Sequence, residues 1–126
     1  MAFDGSRNYL LALELLRTAK GSDDEEVWLR AAIGRAYYAA FLKARAFLKD
    51  KDRDPNVPTN ASAHFYVREA FRNSPDSKRK DIGDDLLDLR KARNKADYEG
   101  EYQNLAFNAP LLVAQAGAII AAIDSL

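Results

Sequence analysis

Apolar residues recur three and four positions apart along most of the chain, the period of a helix with one buried side, and no segment alternates as a strand would. A first helix is predicted from Asp4 or Ser6 to Lys20, with Leu10, Leu13, Leu16 and Ala19 or their neighbours buried and Gly21 suited to the cap that ends it. Ser22-Asp23-Asp24-Glu25 then has the form of a capping box, the serine accepting from helix amides and Glu25 reaching back. The second helix, about Asp24 to Lys49, is apolar nearly all round. Trp28, Ala31, Ala39, Leu42 and Ala46 share one side, while Ile33, Tyr37, Ala40, Ala44, Phe47 and Leu48 cover much of the other. Such a helix is central, and its small residues between Ala32 and Ala40 let neighbours approach closely.

Residues 50–61 carry two prolines and many charges with little to bury, and are expected to form a loop. A shorter helix is predicted from about Ser62 to Asn73, with Ala63, Tyr66, Val67, Ala70 and Phe71 on one face and Phe65 opposite. The fourth helix begins near Lys78 to Lys80 and is closed by Gly100. Asn108-Ala109-Pro110 marks the start of a last helix, with Asn104 as an earlier alternative. Its apolar run from Ala109 to Ile123 is shorter than the roughly 18 to 20 residues a membrane span requires, and must be covered inside the bundle or by a second copy of the chain. The fold expected is all-α, an antiparallel four-helix bundle with one short additional helix, forming a single domain over residues 1–126.

Within the fourth helix, charge stands where the period calls for apolar residues. Ile82, Leu86 and Leu89 define a stripe whose next members are Arg93 and Ala96. At about 100° per residue, Asp97 falls about 40° and Arg90 about 60° from Arg93, so three charges lie on or beside the core-facing side. Arg35 sits on the same stripe of the second helix as Trp28, Ala39 and Leu42. It is expected to be a structural buried charge, paired with Asp97, Asp88 or another inward carboxylate, because an unpaired buried guanidinium is costly.

Composition changes this picture only at its edges. Nineteen basic residues balance nineteen acidic ones, so there is no global field to draw the chain onto nucleic acid or an anionic membrane, and any phosphate contact must be local. The chain has no cysteine, which excludes disulfides and thiolate metal sites. Met1 to Arg7 shows no hydrophobic signal core, and a cytoplasmic location with no membrane association is expected. No glycine-rich phosphate loop or metal-ligand spacing stands out, so neither a cofactor nor a metal is expected.

Two segments carry a resemblance. Arg35-Ala36-Tyr37-Tyr38-Ala39-Ala40-Phe41 on the second helix, joined to Arg93-Asn94-Lys95-Ala96-Asp97-Tyr98 on the fourth, resembles the HEPN family of small helical domains, in particular the stand-alone branch that carries an Ala-Asp-Tyr triplet. The resemblance implies a homodimer formed through the fourth-helix region. It also implies a role in a prokaryotic toxin–antitoxin or defence system, often beside a minimal nucleotidyltransferase antitoxin. Family ribonucleases use an arginine, usually followed by a polar residue, with a histidine four to six intervening positions later. Arg93 and Asn94 match the first two positions, but the fourth intervening residue leads to Tyr98 and no histidine follows.

The resemblance therefore implies an RNA- or partner-binding protein whose motif for metal-independent endoribonuclease activity is degenerate. Arg90, Arg93, Asn94 and Lys95 are the candidate RNA or phosphate contacts, and Arg93, Asp97 and Tyr98 the candidate catalytic set. Asp97 paired to Arg93 is a poor acid, and a phenol such as Tyr98 is a difficult base near neutral pH. His64, the single histidine, stands near the start of the short helix, where it reads as a cap-proximal or surface residue. The rival expectation is a catalytically inert dimerisation or protein-interaction module.

Overall fold

In the computed structural model, which describes residues 5–126, five helices follow one another: α1 (Ser6–Ala19), α2 (Glu25–Asp50), α3 (Ala63–Arg72), α4 (Ser77–Tyr98) and α5 (Leu105–Asp124). No strand occurs among the described residues. The chain is an all-α helical bundle of four long helices and one short one. The alternative start of the first helix at Asp4, and the first four residues of the leader reading, lie outside the described residues.

Local chemistry sets the ends. Gly21 takes φ +76° after α1, a left-handed conformation that costs glycine little. The expected capping box is absent. Ser22 Oγ instead accepts from the Asp24 amide at 3.1 Å in a local turn, and α2 begins one residue later at Glu25. Asp76 caps α4 through the Lys78 amide at 3.0 Å. Asn104, at φ 56°, precedes α5, which therefore starts at the earlier of the two expected positions and places Pro110 in its second turn.

Packing explains which faces are buried. α2 meets each of the other four helices, and Leu29, Ile33, Ala36, Ala40, Ala44 and Leu48 form its buried line. The stripe drawn through Trp28, Ala31, Arg35, Ala39, Leu42 and Ala46 is buried only in part: Ala39 and Leu42 are in the core, Trp28 and Ala31 are partly exposed, and Arg35 and Ala46 are exposed. Arg35 is thus not a buried charge, and it makes no ion pair among the described residues. Period alone could not separate the two lines, because alanines occupy both. On α1 the small residues Ala12 and Ala19 are buried, with Leu15 and Leu16 half-buried, while Leu10 and Leu13 are exposed against expectation. On α3, Ala63, Val67 and Phe71 enter the core and Ala70 does not.

The inward guanidinium of α2 is Arg30, five residues before the expected one. Its Nη1 donates to the carbonyls of Ala96 at 2.8 Å and Glu99 at 2.7 Å, its Nη2 donates to Gly100 O at 3.1 Å, and Glu26 pairs with it at 2.9 Å. Carbonyls at the end of α4 lack helical donors and carry the negative end of its dipole, so a cation there both satisfies and neutralises them. This ties the end of the Arg93–Asp97 segment to α2. The other end of α4 is held against α3 at Gly83, where an added Cβ would stand 2.6 Å from the Arg72 amide nitrogen and 2.9 Å from Arg68 O. Only glycine permits that approach.

α5 buries Ala109, Val113, Ala116, Ile119 and Ile123, but Phe107, Leu111, Ala114, Ala118 and Ala121 remain exposed on its outer side. Because it begins at Leu105, α5 reaches 20 residues and is long and apolar enough to cross a membrane by length and composition, which the shorter count from Ala109 did not reach.

Candidate functional site

Two arginines three residues apart on α4 lead to two arrangements. Arg93 Nε pairs with Asp97 Oδ2 at 2.8 Å, one helical turn on. The expected pair forms, but at the rim: the two side chains keep 30% and 35% of their surface. The stripe itself is buried at Ile82, Leu86, Leu89 and Ala96, and Arg93 leaves it by turning its head toward Asp97. Together with Gly34, Arg35, Tyr37 and Tyr38 of α2 this pair lines a surface cleft of about 390 Å³. Asp97 approaches α2 at Gly34, with Oδ1 4.0 Å from where a Cβ would be. Tyr98 is 79% exposed and, five residues from Arg93, points about 140° away. Asn94 is exposed, and Lys95 lies over the Tyr102 ring at 4.8 Å. Neither joins Arg93 in a common site.

Arg90 turns to the other flank, toward α2 and α3. Its guanidinium sits over the Tyr37 ring, 5.5 Å from the centroid, with Nη1 3.4 Å from His64 Nδ1. The Tyr37 hydroxyl lies 2.7 Å from the same nitrogen. His64 stacks on Phe41 with ring centroids 4.2 Å apart. It is therefore half-buried and fixed in an aromatic wall, not a surface residue. Burial lowers its pKa to about 4, with further lowering from the charges of Arg90, Arg93, Arg68 and Arg45. Burial also pushes the Tyr37 phenol up, so that it remains a donor.

One guanidinium, Arg90, thus touches the neutral imidazole, and three more from the same three helices, Arg93, Arg68 and Arg45, are near enough for their charge to act on it. Arg45 of α2 lies over Phe41 at 5.9 Å and Arg68 of α3 over Phe65 at 5.1 Å. Carboxylates are sparse around them. Arg90 and Arg45 have no ion pair among the described residues, and Arg93 has Asp97. Arg68 Nε is buried without a hydrogen-bond partner, 3.7 Å from a Glu69 carboxylate that is engaged by Arg72 at 2.9 Å. Unneutralised cations held together favour an anion, and forked donors arriving from several directions suit phosphate. The imidazole is a titratable group of a kind absent from the Arg93 segment.

The sequence places His64 correctly near the start of α3 but gives it no part in the site, and Arg68 and Arg45 are missed, because the site is sought along α4. Their signal is present in the spacings: Tyr37, Phe41 and Arg45 repeat at four residues on α2, and His64 and Arg68 at four on α3, each beside a buried stripe.

Comparison with known proteins adds one relative. No family model matches the chain, and no solved structure matches it. The chain is similar to an uncharacterized protein of Methanocaldococcus jannaschii, 35% identical over 99 residues that cover 68% of this chain and 55% of the relative. It therefore spans about half the length of the curated relative it matches.

Proposed function

We propose that the protein is a HEPN-like, antiparallel-bundle component of a prokaryotic toxin–antitoxin or defence system that binds RNA through its phosphates at the arginine cluster around His64. The observation that carries this reading is Arg90, held over Tyr37 and beside His64 without an ion pair of its own, with the charges of Arg45, Arg68 and Arg93 bearing on the same ring and Asp97 and Glu69 as the close carboxylates. Exposed Tyr38 and Phe65, at 41% and 60%, flank the cluster and offer faces on which unpaired bases can stack. The neutral overall charge agrees with a local site, since four arginines make a phosphate trap without a long-range field. Cleavage without a metal would use His64 for proton transfer, in place of Asp97 or Tyr98.

A second reading is favoured by α5. Its exposed face of Phe107, Leu111, Ala114, Ala118 and Ala121 has no charge, so a second copy of the chain could meet it without burying an unpaired ion. In that reading the protein is a cytoplasmic homodimeric interaction module, with a nucleotidyltransferase as its partner and no catalysis.

One set of assays separates them. Purified protein is incubated with short single-stranded RNA in the presence of a chelator, and binding is followed across a salt series beside Arg90→Ala and His64→Ala variants. Arginine-dependent binding supports the RNA reading, and cleavage lost with His64 adds the enzyme. Absence of both, with a dimer in solution, supports the module.

A further inference from the structure

The immediate surroundings of His64 fix more than an anion site. A guanidinium has no acceptor, so Arg90 Nη1, 3.4 Å from His64 Nδ1, can approach that nitrogen only as a donor. The Tyr37 hydroxyl at 2.7 Å can donate or accept as a neutral phenol, and with Arg90 donating to Nδ1 it is assigned as a donor as well. Two donors on Nδ1 leave its lone pair as the acceptor, and the proton of the neutral ring must then reside on Nε2. Nε2 has no hydrogen-bond partner among the described residues, and the Phe41 stack holds the ring plane in place.

We infer that His64 is a phosphate-binding residue whose Nε2–H donates to a phosphoryl oxygen held among Arg90, Arg68 and Arg45, with Tyr37 as the residue that positions the ring. The inference rests on the phosphate-binding reading above and names the group that senses the ligand. A planar carboxylate offers two oxygens to this ring of donors. A phosphoryl group offers oxygens in a tetrahedral arrangement, which matches one imidazole N–H and guanidiniums from three helices.

Binding also moves a proton. In the free protein the charges that bear on His64 are all positive: Arg45 from α2, Arg68 from α3, and Arg90 and Arg93 from α4, of which Arg93 is paired to Asp97 and Arg68 lies 3.7 Å from a Glu69 carboxylate that also engages Arg72. Tyr37 is neutral. A bound phosphate places negative charge among these cations, and the charged imidazolium, disfavoured before, becomes favourable. The proton comes from solvent and adds at Nδ1, where the Tyr37 hydroxyl turns from donor to acceptor and Arg90 Nη1, which can only donate, leaves that nitrogen for the phosphate. Affinity then increases as pH falls through the midpoint of the bound ring toward that of the free ring, and the gain is absent well above the bound midpoint.

The chain's single histidine makes the test direct, because one set of imidazole resonances reports one site. The full chain is titrated from pH 7 to 4 by NMR, alone, with inorganic phosphate, and with short single-stranded RNA. The His64 midpoint should begin near 4 and rise by about one pH unit or more when either ligand is bound. Tyr37→Phe should move the free midpoint, and His64→Gln, which keeps an N–H donor, should retain binding at pH 7 while losing the pH dependence. Ligand binding that depends on Arg90 but leaves the His64 resonances and midpoint unmoved overturns this inference and spares the RNA reading. Failure of both phosphate and RNA to bind wild-type protein overturns both.

Discussion

Arg90 and Arg93 stand three residues apart on α4, yet one is neutralised by its own helix and the other is not. Arg93 has Asp97 one turn away, a pair that needs only α4 to exist. Arg90 has Tyr37 from α2 and His64 from α3, and its environment exists only when three helices are assembled. The local pair is half-exposed and electrically closed, whereas the assembled cluster gathers like charge and keeps its histidine neutral. Like charges are brought together at a cost to stability, which a bound anion, as proposed, would relieve. The more conspicuous feature of the sequence is therefore the less demanding one of the structure.

The strongest way to break the assembled cluster while sparing the local pair is at Gly83. A methyl group there overlaps the backbone of Arg72 and Arg68, so Gly83→Ala must push α3 away from α4 and carry His64 from Arg90. A loss of about 2–3 kcal/mol is expected in chemical unfolding, as for overpacked sites generally, with RNA binding weakened as well. If stability is unchanged, α3 is free to shift and the cluster is not rigidly built.

Arg30 offers a third guanidinium for comparison, bound entirely by neutral carbonyls and one exposed glutamate. Arg30→Met removes the donors to Ala96, Glu99 and Gly100 while keeping much of the stem. A loss of about 1.5–3 kcal/mol is expected from unfolding curves, without a change in the salt dependence of RNA binding. Arg90→Ala should do the reverse. Folding stability changes little, RNA affinity falls on the order of tenfold, and the slope of binding against salt decreases by about one. Equal effects of Arg90→Ala and Arg93→Ala on that slope would remove the distinction between the two arginines.

Much of this architecture is legible along the chain. Five helices, the glycine stop after α1, the loop over 50–61 and the Arg93–Asp97 pair all follow from local rules that act within a turn or two. Arg35 and Arg30 show where such rules end. Both lie on a helix that is apolar nearly all round, and only the position of the α4 terminus decides which of them has carbonyls to bind. Leu10 and Leu13 fail for a related reason, since close helix contact on α1 selects Ala12 and Ala19 and turns larger side chains outward. The His64 site depends on residues 26 and 27 positions apart, a separation that no periodicity encodes.

The cluster also sets a pH dependence that the local pair does not. The folded ring resists protonation down to about 4, while an unfolded histidine takes up its proton near 6.5. Between those values the unfolded state binds more protons, so stability falls as pH is lowered from about 6.5 toward 5. The slope of melting temperature against pH in that window should flatten in His64→Gln. An unchanged slope would place the His64 ring in solvent, outside the aromatic wall.

The smallest effect belongs to Asp97. An exposed pair one turn apart on a helix contributes only about 0.3–0.5 kcal/mol, so Asp97→Asn should hardly change unfolding of the chain. Its influence on RNA should have the opposite sign to that of the arginine variants, because the lost carboxylate frees Arg93 for phosphate and tightens binding modestly. A stability loss of several kcal/mol would mean that the pair is desolvated in the protein in solution, where breaking it strands a buried guanidinium. In a single chain Arg93 and Asp97 keep about a third of their surface, so such a loss requires a second copy over the cleft formed with Gly34 and Tyr38. Unfolding measured at two protein concentrations separates the cases, since only the covered pair makes the midpoint concentration-dependent.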